Sequence, residues 1–113
     1  MSAITTHVLD LVAGRPALGV EVTLERKAAE EWQLLATGVT DGDGRLADLL
    51  PDDRRLEAGT YRLTFDTGGY FDAANTAAFY PQAIVTFRVA DPAQHYHVPL
   101  LLSPFGYSTY RGS

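Results

Sequence analysis

The chain contains no cysteine, so disulfide bonds and thiolate chemistry are both excluded. Positive charge is also scarce, since nine Lys and Arg residues stand against fourteen Asp and Glu and leave a net charge of −5. A chain with this balance and without a basic cluster is poorly suited to nucleic acid or anionic lipid. No apolar run approaches the roughly 18–20 residues that a membrane-spanning helix needs. We therefore expect neither a nucleic-acid nor a membrane partner.

The remaining composition predicts one globular domain. With 113 residues, 46% of them hydrophobic and 20% charged, the chain has the size and make-up of a single ordinary domain. We predict one domain over residues 1–113. Residues 1–7 carry neither the basic region nor the long apolar region of a secretory signal, so a cytoplasmic location is the expectation.

Hydrophobic residues recur at every second position along much of the chain, which predicts half-buried strands. The predicted strands cover residues 4–11, 20–25, 32–40, 61–66, 85–89, 96–102 and 107–111. Gly- and Pro-containing breaks separate them. Only residues 70–78, with four alanines, favour a helix. Seven short strands with one short helix predict an all-β fold, namely an antiparallel β-sandwich.

Histidines are the first candidates for chemistry. On the strand at 96–102, alternation puts Tyr96 on the core face and both His95 and His97 on the opposite face. Pro99 has no backbone N–H, which favours an edge or irregular position. Together with His7 on another strand, these side chains suit general acid–base catalysis. A metal site is the alternative, although no carboxylate neighbours the pair.

One acidic turn invites a calcium interpretation. Residues 41–44 read Asp-Gly-Asp-Gly, but an EF-hand loop needs Gly at its sixth position and Glu at its twelfth. The segment instead predicts a tight turn between strands. Arg45 follows directly, and it is either solvated or aimed by the turn into a site.

Five segments carry a resemblance to a known family: Thr6-His7-Val8-Leu9-Asp10 with Gly14-Arg15-Pro16-Ala17; Thr40-Asp41-Gly42-Asp43-Gly44-Arg45; Gly59-Thr60-Tyr61-Arg62; His95-Tyr96-His97-Val98-Pro99-Leu100-Leu101-Leu102-Ser103-Pro104; and Tyr107-Ser108-Thr109-Tyr110-Arg111-Gly112-Ser113. In this order they resemble the transthyretin-related family, and within it the 5-hydroxyisourate hydrolases. The ending Tyr-Arg-Gly-Ser is the most specific of these signals. The thyroid-hormone carriers of the family share parts of the last two segments but have neither this ending nor the histidines.

The resemblance implies a prealbumin-like sandwich assembled as a homotetramer, a dimer of dimers with active sites at the dimer–dimer interface. It implies hydrolysis of 5-hydroxyisourate to 2-oxo-4-hydroxy-4-carboxy-5-ureidoimidazoline, a step of urate and purine degradation, with no metal and no organic cofactor. Carried over position by position, the catalytic residues are His7, Arg45, His97 and Ser113, and the substrate-binding residues are Tyr110, Arg111 and Gly112.

Ring-opening hydrolysis needs an activated water and a group that stabilises the developing oxyanion. The hypothesis is that His7 and Ser113 position and deprotonate the water, while His97 and Arg45 polarise the attacked carbonyl. The sequence fits the exchange of the two histidines equally well. Arg45 and Arg111 offer planar donor forks that suit urea-like oxygens, and His95 ranks second as a support or surface residue.

Three other functions compete with hydrolysis by this set. A non-enzymatic carrier of small aromatic ligands would use the same central channel, although a site for an apolar ligand should carry few charges. A metal-dependent hydrolase would use all three histidines, His7, His95 and His97. A β-sandwich interaction module would give the histidines no role at all, and the fold alone excludes none of these.

Overall fold

In a computed structural model that describes residues 2–113, nine strands and one helix form a two-layer sandwich. The elements are β1 (Ile4–Asp10), β2 (Arg15–Pro16), β3 (Glu21–Ala28), β4 (Glu31–Val39), β5 (Arg45–Leu46), β6 (Gly59–Phe65), α1 (Thr67–Ala73), β7 (Ala83–Val89), β8 (Tyr96–Ser103) and β9 (Gly106–Thr109). The predicted all-β sandwich with one short helix is confirmed. No helix among residues 2–113 is long and apolar enough to span a membrane.

The first sheet has the order β2-β1-β8-β9, with β5 paired to the same edge of β1 as β2. The second sheet has the order β4-β3-β6-β7. One pairing departs from the antiparallel prediction, because β1 and β8 run parallel. Parallel neighbours need a long crossover, and here the crossover includes the whole second sheet.

Alternating side chains of both sheets fill one core. Val8 and Leu100 from the first sheet join Leu24 and Leu63 from the second in a single cluster, and all four are fully buried. Because neighbours along a strand point to opposite faces, burial of these residues turns the intervening ones outward. The polar residues between them in β1 and β8 therefore occupy the outer face of the first sheet.

The helix lies earlier than predicted, over Thr67–Ala73 instead of residues 70–78. The Asp66 carboxylate caps it by accepting from the Gly69 N–H at 3.0 Å, which starts the helix at glycines that otherwise indicate a turn. Asn75 then adopts a positive φ of 52° and ends it. The Ala77 and Ala78 pair therefore lies beyond the helix.

The last strand is shorter than the predicted 107–111. The pairing of β8 with β9 runs to Leu100 opposite Thr109, stops at Pro99, and resumes only as a single bridge between His97 and Gly112. Proline has no N–H to donate to the neighbouring strand, so the interruption falls where the ladder would need one. Pro99 thus occupies an irregular position, but within an interior strand of the sheet.

Candidate active site

Strand register gathers the polar residues on the outer face of the first sheet. Thr5 lies opposite His97 and His7 opposite Pro99 in the parallel β1–β8 pair, while Arg45 of β5 lies opposite His7. Side chains at paired positions share a face of the sheet and touch one another. The structure therefore brings three of the predicted catalytic residues together, although they come from three strands.

The acidic turn before β5 shapes this site. The Asp41 carboxylate accepts from the backbone N–H groups of Asp43 and Arg45, both at 2.9 Å, which confirms the predicted tight turn. Gly44 has a φ of +72°, and a Cβ there would collide with the Val8 carbonyl oxygen. Glycine is therefore required where the turn crosses β1, and Arg45 emerges beside His7.

The same turn holds the His7 ring. Nε2 of His7 lies 2.8 Å from the backbone carbonyl oxygen of Asp43. A carbonyl oxygen can only accept, so Nε2 carries the hydrogen and donates it. In neutral His7 the lone pair is then on Nδ1.

Thr5 is a site residue that the sequence did not reveal. Its Oγ1 lies 2.8 Å from Nδ1 of His97 and 3.2 Å from Nε2 of His95, and the threonine is only 5% exposed. One buried hydroxyl therefore bridges His97 of β8 and His95, which directly precedes that strand. Alternation along β1 puts Thr5 on the same face as His7, and this was the one sequence feature that could have indicated it. The pairing of β1 with β8, which puts Thr5 opposite His97, cannot be read from local alternation.

His97 has the perturbed titration of a catalytic candidate. Partial burial lowers the pKa of its imidazole below the ordinary value of 6.5, and the nearby Arg45 cation, His95 and His7 lower it further. The backbone of Thr5 acts in the opposite direction and raises this pKa. His97 is consequently neutral at neutral pH and keeps one ring nitrogen as a base.

A cavity of about 310 Å³ opens beside these groups. Its walls are formed by Thr5, Thr6, Arg45, Ala47, His95, His97 and Ser113. Within residues 2–113 no carboxylate forms an ion pair with the Arg45 guanidinium, and Arg45 lines the cavity. An arginine whose charge is not matched by the protein is suited to an oxygen-rich ligand.

The C-terminal segment packs against the His97 ring. The Gly112 N–H donates to the His97 carbonyl at 2.8 Å, and a Cβ built on Gly112 would lie 2.5 Å from Cδ2 of His97. Only glycine lets the backbone pass this close without moving the ring. Gly112 thus shapes the site through its backbone, and Ser113 follows at the cavity wall.

Two other predicted site residues lie apart from this cavity. The Arg111 guanidinium stacks 4.7 Å from the centre of the Tyr96 ring and donates to the side-chain oxygen of Gln94 at 3.0 Å. With the largely exposed Tyr110 and with His97, it lines a second cavity of about 260 Å³. Within one chain, Arg111 therefore shares a cavity with His97 but not with Arg45 or Ser113.

The histidines are not arranged as a metal site. Among residues 2–113, no group of three His, Asp or Glu side chains is placed to hold a metal ion. His95 and His97 each direct a ring nitrogen at Thr5, and His7 directs one at a carbonyl. The metal-dependent alternative therefore finds no ligand set in the described part of the chain.

Fold and site together define a transthyretin-like β-sandwich protein with a polar histidine–arginine cavity on the outer face of one sheet. The model of the HIUase/Transthyretin family matches residues 4–112. The chain belongs to this family.

Individual relatives fall on both branches of the family. A 5-hydroxyisourate hydrolase of Salmonella dublin is 48% identical over 110 residues, which are 97% of this chain and 80% of that protein. The structure of the Klebsiella pneumoniae 5-hydroxyisourate hydrolase is similar with a TM-score of 0.86 and 40% identity, covering 97% of this chain and 98% of that one. Sea bream transthyretin in complex with thyroxine has a TM-score of 0.90 and 37% identity, covering 98% and 95%.

Proposed function

We propose that this chain is a 5-hydroxyisourate hydrolase. Water would add to the ring carbonyl carbon of 5-hydroxyisourate, and the adjacent C–N bond would break. The hydroxyl of water becomes part of the new carboxyl group and its other hydrogen passes to the released nitrogen, giving 2-oxo-4-hydroxy-4-carboxy-5-ureidoimidazoline. The observation that carries this proposal is that His97, Arg45 and Ser113 line one cavity, with His7 paired to Arg45 across the adjoining strands, in a chain 48% identical to a 5-hydroxyisourate hydrolase.

The geometry favours one of the two histidine assignments. His97 has a lowered pKa and is therefore neutral, with one nitrogen held at Thr5 and the other available to accept a proton from water. Arg45, on the same cavity, would stabilise the oxyanion that forms on the attacked carbonyl. His7 has its Nε2–H committed to the Asp43 carbonyl, so it would orient substrate or water through Nδ1. Ser113, which lines the same cavity, would bind the water or the substrate.

The other residues of the C-terminal segment have a role in the proposed reaction if several copies of the chain assemble. We propose that Tyr110, Arg111 and Gly112 bind substrate in a homotetramer whose sites lie at the dimer–dimer interface. Support comes from strands β7 and β9, the outermost strands of their sheets, and from Phe79, Tyr80 and Tyr107, which form an exposed aromatic cluster beside them. Light scattering on the purified protein gives the copy number directly. The cytoplasmic location stays a prediction, which cell fractionation tests.

The decisive experiment generates 5-hydroxyisourate from urate with urate oxidase and follows its ultraviolet decay after addition of this protein. We expect strong acceleration by the wild type, and its loss both in His97→Asn and on deletion of Ser113. Arg62→Met, on the outer face of the opposite sheet, is the matched control and should behave as wild type. A folded wild-type protein without acceleration would refute the proposal.

A carrier of small aromatic ligands remains the second candidate, because the thyroxine-bound transthyretin matches this backbone with a TM-score of 0.90. A shared fold does not decide between the two functions. Titration calorimetry with thyroxine separates them. Tight binding by a protein that leaves 5-hydroxyisourate decay unchanged would favour the carrier, whereas catalysis without thyroxine binding would exclude it.

A further inference from the structure

We propose that Thr5 is a positioning residue that sets which ring nitrogen of His97 carries hydrogen, and that it couples this choice to His95. The three residues are called the Thr5 bridge below. The inference rests on the proposed hydrolase function only for its consequence in catalysis. The bridge itself rests on two distances, 2.8 Å from the Thr5 Oγ1 to Nδ1 of His97 and 3.2 Å to Nε2 of His95.

Counting hydrogens limits the possible arrangements of the bridge. A threonine hydroxyl has one hydrogen to donate and two lone pairs to accept with. Two ring nitrogens face it, so Thr5 can donate to only one of them. When Thr5 donates to His95, the Nδ1–H of His97 can donate to Thr5. When Thr5 donates to His97 instead, Nδ1 of His97 must be the bare nitrogen.

The two arrangements give His97 opposite chemistry. With hydrogen on Nδ1, neutral His97 presents a lone pair on Nε2 and acts as a base. With hydrogen on Nε2, the same ring is a donor and cannot take a proton from water at that nitrogen. The hydrogen that the Thr5 hydroxyl donates or accepts thus decides between the two roles that the sequence leaves open for His97.

The surroundings select the first arrangement. Arg45 shares the cavity with His97 and carries only hydrogen-bond donors. Its positive field favours a lone pair over an N–H on the ring nitrogen that Thr5 leaves free, and it also lowers the pKa of His97. We therefore assign the order His97 Nδ1–H to Thr5 Oγ1, and Thr5 O–H to His95 Nε2.

Burial makes Thr5 able to enforce this order. The threonine is only 5% exposed and is fixed in β1 opposite His97, so its side chain has little room to turn to solvent. The Gly112 backbone holds the His97 ring from another direction. Held at two places, the ring cannot rotate to exchange its nitrogens without disturbing either contact.

Long-range ¹H–¹⁵N spectra of histidine-labelled protein test the proposal without any substrate. The chain has three histidines, so single replacements assign every signal. Above the ordinary histidine pKa, we expect His97 to be the Nδ1–H tautomer in the wild type and in Thr5→Ser, and a mixture of tautomers in Thr5→Val. Thr23→Val, on the outer face of the second sheet, should leave the spectrum unchanged. An Nε2–H tautomer in the wild type, or an unchanged His97 signal in Thr5→Val, would overturn the assignment.

A double-mutant comparison tests the coupling to His95. His95→Ala should shift the His97 tautomer ratio when Thr5 is present and should have no effect in the Thr5→Val background. An equal shift in both backgrounds would mean that His95 acts on His97 directly, and the bridge would be wrong.

Kinetics connect the bridge to catalysis. We expect Thr5→Val to lower kcat on the order of 10-fold with KM nearly unchanged, and Thr5→Ser to restore most of it, because only the state of a general base has changed. Thermal unfolding of the same proteins shows whether the fold is intact. Tautomer changes as expected in a protein that does not hydrolyse 5-hydroxyisourate would refute the proposed function and leave the bridge standing. An active Thr5→Val protein with wild-type kcat and mixed tautomers would refute the catalytic role of the bridge.

Discussion

Each of the two sheets carries an arginine on its outer face, and the two arginines have different surroundings. On the second sheet, Arg62 donates to the Glu25 carboxylate at 2.7 Å and lies 4.2 Å above the Trp32 ring, so protein groups occupy it on two sides. On the first sheet, no carboxylate within residues 2–113 pairs with Arg45, which faces a cavity with His97. The position of an arginine on a strand does not distinguish the two. What distinguishes them is whether the protein supplies the counter-charge.

A charge that the protein leaves unmatched is available to a ligand. The polar residues that line the cavity with Arg45 include His95, His97 and Ser113, and the ring nitrogens of both histidines lie within hydrogen-bond distance of the Thr5 hydroxyl. Arg45 thus keeps an unpaired positive charge at the cavity, although the chain carries a net charge of −5. Such a site can attract and polarise a carbonyl oxygen, although the net negative charge of the chain would weakly repel an anionic ligand.

Replacing Arg45 should give the largest effect. In Arg45→Met the cavity loses its permanent cation, so we expect kcat/KM for 5-hydroxyisourate to fall by roughly 10²–10³-fold. The side chain is exposed, so the unfolding free energy should change by no more than about 0.5 kcal/mol. Steady-state kinetics with thermal unfolding measure both. An active Arg45→Met enzyme would mean that the unmatched charge has no part in the reaction.

Gly112→Ala tests the backbone contact that holds His97. Its Cβ would lie 2.5 Å from Cδ2 of His97, and the ring must move because the strand on the other side is fixed. Misplacing a catalytic group by about 1 Å can cost about 10²-fold in rate, so we expect a loss of kcat on the order of 10- to 100-fold. Gly106→Ala, whose Cβ would meet its nearest neighbour only at 3.8 Å, is the control. Equal rates in the two variants would show that the ring position is not set by Gly112.

The residues in and near the site differ in how far the sequence alone can predict their positions. Alternation was enough to put His97 on the outer face of its strand, since a period of two is a local property, whereas His7 was predicted only to lie on another strand. Thr5 could not be paired with His97 because the two are 92 residues apart, and a parallel register is set by packing of the whole sandwich. The side to which Arg111 turns was equally hidden, because it depends on the ring of Tyr96 and on where Pro99 interrupts the ladder.

Protonation of His97 should produce a smaller and pH-dependent effect. Because the pKa of folded His97 is below the unfolded value, unfolding takes up a proton when the pH lies between the two. The free energy of unfolding therefore decreases as the pH falls through about 6.5, and the loss is complete below the folded pKa. His97→Gln should remove this slope, so the difference between the two unfolding curves isolates it from the carboxylates. Stability differences that do not change with pH would contradict the lowered pKa.

The same shift predicts the acid limb of the rate profile. If His97 is the base, kcat/KM should stay at its plateau through the ordinary histidine pKa of about 6.5 and fall only below it. Since His97 is the group that titrates, Thr5→Val should move this limb, whereas Thr23→Val should not. A limb at or above the ordinary value in the wild type would assign the base to another group.

Arg62→Met should have the smallest effect and completes the comparison between the two arginines. It breaks the ion pair with Glu25 and the contact with Trp32, and these partly exposed interactions together contribute about 1 kcal/mol of unfolding free energy. Hydrolysis should be unchanged, since Arg62 lines neither of the two cavities beside His97. Chemical denaturation and the urate-coupled assay measure the two quantities. The two arginines would then differ in effect, with Arg62 acting on stability alone and Arg45 on turnover alone. A loss of turnover in Arg62→Met would refute that division.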